Sequence, residues 1–265
     1  MPTKALFAAQ QTEFKQEQQQ AVTNKAAKQL LWTNKVLPAL VLAACCWLAT
    51  LVADKGLASA YYFKANYYLD LWQRKPATLE QHNWQEAADA IARAVKYHSD
   101  HPHYLLTQAK INEWGWYKGF QTAEQIAIND QLYQQAIALR PSWPNAYADY
   151  AYFLGIVNFR VSDALAQLDK AWLYGPYTTE VFHRTLLISA SRWALLNGPQ
   201  KAQSFKALEQ MVKNSYGSYK QALQISRGYK LQRPFCIYLQ LKQAEFKPET
   251  NKLIAKDFCD NSPSS

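Results

Sequence analysis

Three histidines fall in one short stretch: His98, His101 and His103, with Asp100 among them. Two of them could share a metal ion. Their spacing fits no zinc pattern and Asp100 is the only nearby acid, so the stretch reads as a solvated turn between helices. A second group is aromatic. Trp114, Trp116, Tyr117 and Phe120 crowd around Gly115 and Gly119, and Trp143 stands between Pro141 and Pro144. Such planar side chains stack on sugar rings or partner surfaces, or pack a connection against its neighbours. Catalytic patterns are missing. There is no GxSxG, no suggestive cysteine–histidine pair and no phosphate-cradling glycine loop. Glu113 and Asp130 read as ordinary helix residues. The expectation is a protein that is not an enzyme and needs no cofactor or metal.

Charge is unevenly placed. Lys55 to His183 holds 11 bases against 12 acids, net −1, whereas Arg184 to Ser265 holds 13 bases against 5 acids, net +8. Between Arg184 and Arg233 the only acid is Glu209. These bases form either a solvated helix face or a surface that meets lipid headgroups, an acidic partner protein or an anionic glycan. For the last, Arg184, Arg192, Lys201 and Lys206 are the candidate contacts.

What must position these groups begins with Val36–Ala53, eighteen residues without a charge. As a helix this run is about 27 Å long, close to the ~30 Å hydrocarbon core of a bilayer. Lys25, Lys28 and Lys35 precede it without an acid among them. The positive-inside rule then places the N-terminus in the cytoplasm and the rest of the chain outside. The predicted location is a single-pass bacterial inner-membrane protein with a periplasmic C-terminal domain. Nucleic acid is therefore excluded as a partner. Ala58-Ser59-Ala60 resembles a signal-peptidase site, but the apolar run is long and starts late, which favours an uncleaved anchor. Tyr61, Tyr62, Phe63, Tyr67, Tyr68 and Trp72 follow the run, as an aromatic belt at the outer interface would. Residues 1–35 read as a polar, mobile cytoplasmic tail, 36–53 as the span and 54–78 as a juxtamembrane helix.

Cys45 and Cys46 lie in the span and act there as small apolar residues. Cys236 and Cys259 lie in the outer domain. In an oxidising compartment they either form a disulfide or remain two buried thiols.

Glycine is scarce, alanine is frequent and no alternating strand pattern occurs. The predicted fold is all-α. Trp84, Ala87, Ala88, Ile91, Ala92 and Val95 mark one apolar helix face; Tyr104, Leu105, Ala109 and Ile111 mark a second; Ile126, Ile128, Leu132, Ala136 and Ile137 a third. Prolines and glycines separate the helices. Three junctions look alike. Ala94, Ala136 and Ala171 stand late in a helix, Ser99, Pro141 and Pro176 follow, and Leu105, Tyr147 and Phe182 open the next helix. The alanines are 42 and 35 residues apart. This resembles the tetratricopeptide repeat (TPR), a helix–turn–helix unit of about 34 residues in which small residues let paired helices approach. Ala164, Leu168, Ala171 and Pro176 match its second helix, and Tyr147, Tyr150 and Ala151 much of its first. Ser99 departs from the expected proline. The longer spacing implies an insertion, NEWGWYKGFQTAEQ. Residues 79–215 are thus predicted to be TPR-like repeats and 216–265 a basic helical cap. A repeat scaffold offers a concave face. Trp114, Trp116, Tyr117, Tyr147 and Tyr150 are its candidate binding residues.

A further order of residues is more particular. Ser59-Ala60-Tyr61-Tyr62 leads to YYLDLWQR at Tyr67–Arg74, then Trp84, then Pro102-His103-Tyr104-Leu105-Leu106 and Glu113-Trp114. Over about residues 40–185 this is similar to the VpsP-type proteins of bacterial exopolysaccharide biosynthesis clusters. The resemblance implies an accessory or scaffold role in making or exporting surface polysaccharide. Its expected partners are the inner membrane, polysaccharide synthesis or export proteins, and an acidic polysaccharide as an alternative ligand. A general envelope-assembly adaptor is the other alternative.

Overall fold

A computed structural model describes residues 15–25, Trp32 and 36–260. Within the predicted tail, 15–25 is helical; residues 1–14, 26–31 and 33–35 lie outside the described residues, as do 261–265. The described chain is helical throughout, with no strand. It divides into two compact units, Met1–Leu57 and Ala58–Ser265.

The first unit contains the start of helix α1 (Leu37–Arg74). This part is apolar on every side. Leu40, Val41, Leu42, Trp47, Leu48 and Val52 are all exposed. Its most apolar window has a mean hydropathy of 1.9 and buries nothing inside the protein. A helix apolar all round is not the amphipathic helix of a soluble surface. It is long and apolar enough to cross a membrane.

The second unit is a series of antiparallel helix pairs. The last part of α1, from Ala58, pairs with α2 (Gln81–Tyr97). Next come α3 (Pro102–Tyr117) and α4 (Asn129–Leu139), then α5 (Pro144–Tyr152) and α6 (Val161–Tyr174). They are followed by α7 (Thr179–Ser191) and α8 (Gly198–Asn214), then α9 (Tyr216–Gly228) and α10 (Gln232–Leu241). A short α11 (Pro248–Ile254) runs into a π-helical turn, Ala255–Cys259. From α2 to α10 each helix packs on its sequence neighbour, and α5 also packs on α7 and α7 on α9. That is the helical-repeat arrangement the alanines and prolines predict. Ala94, Ala136, Ala151, Ala164 and Ala171 are completely buried between helices. Absent side-chain bulk there lets the axes approach closely. Pro102 and Pro144 sit in first turns, where a missing N–H costs nothing.

Five expectations need correction. The aromatic residues after the apolar run do not form a free belt. Trp72 is fully buried, Tyr62 stacks on Tyr104 at 5.0 Å, and the Tyr68 hydroxyl donates to Glu86 at 2.6 Å. Of the six, only Phe63 and Tyr67 stay exposed, because residues from Ala58 onward serve the repeat domain as its first inner helix. The predicted separate juxtamembrane segment, 54–78, is thus divided between the two units. Ala92 is exposed; Ala90 takes the buried place on α2.

The predicted insertion is also smaller. NEWGWY belongs to α3, and only the connection 118–128, with one helical turn at Ala123–Ile126, is extra. Gly115 permits α3 to continue there. A Cβ on it would come within 2.5 Å of the Trp84 indole, whose N–H donates to the Ile111 carbonyl at 2.9 Å. Gly119, with φ +77°, then closes the helix: its N–H bonds to Trp116 O and that of Phe120 to Gly115 O. Finally, no core boundary falls at 215. Tyr219, Phe235, Leu239, Phe246 and Phe258 share one apolar cluster with Phe182 and Leu208. In the same region a disulfide joins Cys236 of α10 to Cys259.

Candidate functional site

The first helices of successive pairs carry an unusual load for buried helices. Within α5 the sequence Ala148-Asp149-Tyr150 puts a carboxylate among apolar neighbours, and Asp149 is only 2% exposed. A lone charge there would be strongly destabilising. Two cations from the flanking helices compensate it. Lys110 Nζ of α3 lies 2.6 Å from one carboxylate oxygen, and Arg184 of α7 lies 3.1 Å from the other. Arg184 also pairs with Glu180, one turn earlier on α7, at 2.7 Å, and its guanidinium covers the Tyr152 ring at 4.4 Å. Three inner helices are thereby joined by one charge network.

This network forms the wall of a cleft of about 470 Å³. α1 contributes Gln73, α3 Lys110, Glu113, Trp114 and Tyr117, α5 Tyr152, α7 Glu180, His183 and Arg184, and α9 Gln221. Glu113 lines the cleft. Burial pushes its carboxyl up to about 7, against the opposing pull of the Tyr133 hydroxyl, which donates to it at 2.5 Å, and of Arg184. Burial and then Glu113 hold the Tyr133 hydroxyl well above its usual value. His183 is held down by burial and then by Arg184, so its imidazole is neutral. Burial works against the charge on Lys110, but Asp149 more than offsets it and the ammonium is held above its ordinary value. The cleft therefore contains charges already matched to one another, beside neutral donors and acceptors. No group of three or more metal-ligating residues occurs among the described residues.

The predicted binding residues divide sharply. Trp114, Tyr117 and Arg184 line the cleft. Trp116 is partly exposed on α3 but is not part of the lining. Tyr147 and Tyr150, each 5% exposed, are packing residues. The Tyr147 hydroxyl donates to the Pro141 carbonyl at 2.8 Å and that of Tyr150 to Asp130 at 2.8 Å. An aromatic early in a repeat helix fills the junction between units, so neither ring is free to meet a ligand.

The four cations do not converge either. Arg184 is consumed by Asp149 and Glu180. Arg192 lies over Phe159 at 4.9 Å, Lys201 over Trp193 at 5.6 Å and Lys206 over Trp172 at 5.1 Å. Glu113 and Asp130 are not ordinary helix residues; Asp130 receives Tyr150 and pairs with Arg160 at 3.0 Å. In the histidine stretch, His98 pairs with Asp100 at 3.3 Å, His101 stacks on Tyr104, and His103 packs at a tilt against Trp143, 4.3 Å between ring centres.

A second surface lies where the turns between pairs meet. Gly175, in the α6–α7 turn, would bring a Cβ within 2.6 Å of Pro144 at the start of α5. Asn214, at the end of α8, donates to Thr179 at 2.7 Å. Along this row of turns Tyr177 is 88% exposed and Leu173 74%, with Leu139 and Tyr216 also exposed.

No family model and no curated protein matches the chain. Among solved structures, it is similar to PilW, described as a widely conserved type IV pilus biogenesis factor. Sequence identity is 15%, the match covers 77% of this chain and 87% of that one, and the TM-score is 0.48. The helical-repeat assignment rests on the helix pairs and their buried alanines.

Proposed function

We propose that this protein is a membrane-anchored helical-repeat scaffold that holds other components of an envelope assembly, in exopolysaccharide biosynthesis or export. The observation that carries the scaffold reading is the set of exposed apolar side chains at the turns between helix pairs, Leu139, Leu173, Tyr177 and Tyr216. Exposed apolar side chains at one end of a repeat stack offer anchors for protein–protein contacts. The apolar start of α1 supplies the anchor, by length and hydropathy. The exopolysaccharide assignment is supported by the order of residues shared with the VpsP-type proteins. In this reading the N-terminus is cytoplasmic and the repeat domain periplasmic, where the Cys236–Cys259 disulfide would persist. No reaction is assigned to it.

Crosslinking in native membranes followed by purification of the full chain tests the role. Recovery of polysaccharide synthesis or export proteins, lost with Leu173→Asp or Tyr177→Asp, is the expected result. Recovery of none of them removes the assignment. Reporter fusions at residue 265 test the topology, and a cytoplasmic C-terminus would overturn it.

A further inference from the structure

The cleft on the inner helices is lined unlike a protein-docking groove. Among its lining residues there is no Leu, Ile, Val or Met. Flat polar side chains dominate: Gln73, Glu113, Glu180, His183, Arg184 and Gln221. Aromatic faces complete it, with Tyr117 74% exposed at the rim and Trp114 beside it at a ring distance of 6.2 Å. Protein interfaces place apolar anchors at their centre and polar groups at the rim. Here the lining is mostly polar.

The cleft also continues. A second lobe of about 180 Å³ shares Gln73 and Lys110 with it and adds Asn66, His103, Trp143, Asn145 and Asp149, with Leu69 and Leu106 as its aliphatic lining. Aromatic rings thus stand in both lobes, and the Gln73 amide lines both. The larger lobe is within the about 300–1,000 Å³ of small-ligand sites.

Charge narrows the ligand further. Lys110 and Arg184 are matched by Asp149, and Arg184 again by Glu180. An anionic ligand would have to compete with a buried carboxylate that cannot leave. A cationic one would compete with two cations fixed on neighbouring helices. The groove therefore favours a neutral ligand with many hydroxyls, to which the guanidinium donates, from which the carboxylates accept, and with which the amides do both. The C–H faces of sugar rings match the aromatic platforms.

We propose that this two-lobed groove binds a neutral oligosaccharide segment, with Tyr117 as the stacking platform and Gln73, Glu113 and Gln221 as hydroxyl partners. The proposal rests on the lining of the groove and stands whatever assembly the row of turns serves.

The test uses the full chain in lipid nanodiscs, which present no sugar headgroup. Short neutral hexose and N-acetylhexosamine oligosaccharides, uronic-acid oligosaccharides and a display library of unstructured peptides are compared by calorimetry, by tryptophan fluorescence and, for the peptides, by selection. Neutral saccharides should bind with little salt dependence. Tyr117→Ala, Gln73→Ala and Gln221→Ala, on three separate helices, should each weaken binding about five- to tenfold. Tyr177→Ala, on the row of turns, should not change it. Thermal unfolding checks that each variant is folded, and three independent positions keep the test decisive if one is not. No binding by any neutral saccharide at about 5 mM overturns the proposal. So does binding confined to uronic-acid saccharides or to peptides. Loss of protein partners with Leu173→Asp while saccharide binding persists would separate this site from the scaffold surface.

Discussion

The cleft and the row of turns are built from the same helix pairs, yet their chemistry is opposite. In the cleft, Asp149 is buried and held by Lys110 and Arg184. On the turns, Leu173 and Tyr177 are left to solvent. The cleft takes side chains from α1, α3, α5, α7 and α9, where the inner helices approach one another. The turns take the ends of helices, where chain reversal leaves side chains without a neighbour. A repeat fold thus separates a preorganised polar site from an apolar contact surface without a second domain. Charge satisfaction stabilises one; exposure characterises the other.

The largest expected effect probes the cleft. Asp149→Ala leaves two cations in a buried network without their shared carboxylate. It should destabilise the protein by about 3–5 kcal/mol, measured by denaturant unfolding. A loss below about 1 kcal/mol would mean the network is only a surface ornament.

Glu113 gives a pH signature. Its folded-state value, near 7, lies above that of an unfolded glutamate. The folded protein therefore holds more protons between about pH 4.5 and 7, and stability falls as pH rises through that window. Glu113→Gln keeps the acceptor for Tyr133 and removes this slope. It should raise stability by about 1–3 kcal/mol at pH 8 relative to the wild type, with little change at pH 4. Parallel stability curves for the two proteins would contradict a buried ionisable Glu113.

At the turns, Gly175→Ala must displace Pro144 or Thr178, each 2.6 Å from the added carbon. A cost of about 1–3 kcal/mol is expected by thermal unfolding. A neutral outcome would show that the α5 and α6–α7 ends are not in firm contact. The smallest effect on stability belongs to Leu173→Asp and Tyr177→Asp, within about 0.5 kcal/mol of the wild type. If either costs several kcal/mol, the row is packing and not a contact surface.

Much of this architecture was readable beforehand. Ala94, Ala136 and Ala171, followed by Ser99, Pro141 and Pro176, locate the turns, and all three alanines are fully buried. The cleft was not. Trp114, Tyr117 and Arg184 belonged to the predicted set, but Gln73, Lys110, Glu113, Tyr152, Glu180, His183 and Gln221 did not. One signal existed: Asp149 is an acid inside the apolar run NAYADYAYFL, and a buried acid demands a partner. Nothing local identifies that partner, since Lys110 and Arg184 lie 39 and 35 residues away in sequence. Aromatic residues misled for a related reason. Tyr147 and Tyr150 have the composition of a binding face, and only packing reveals that they fill the gaps between units.

By itself the sequence determined the helical class, the apolar start of α1 and the positions of the turns. These depend on local matters: hydropathy, helix periodicity, and proline or glycine at the breaks. Tertiary structure alone decided which side chains meet. It sent Arg184 inward to Asp149, away from a basic surface, and drew Tyr62 and Trp72 into the repeat core. It brought Gln73 and Gln221 to the same cleft. Such meetings depend on how successive helices stack, and side chains remote in the chain become neighbours only when the stack is formed.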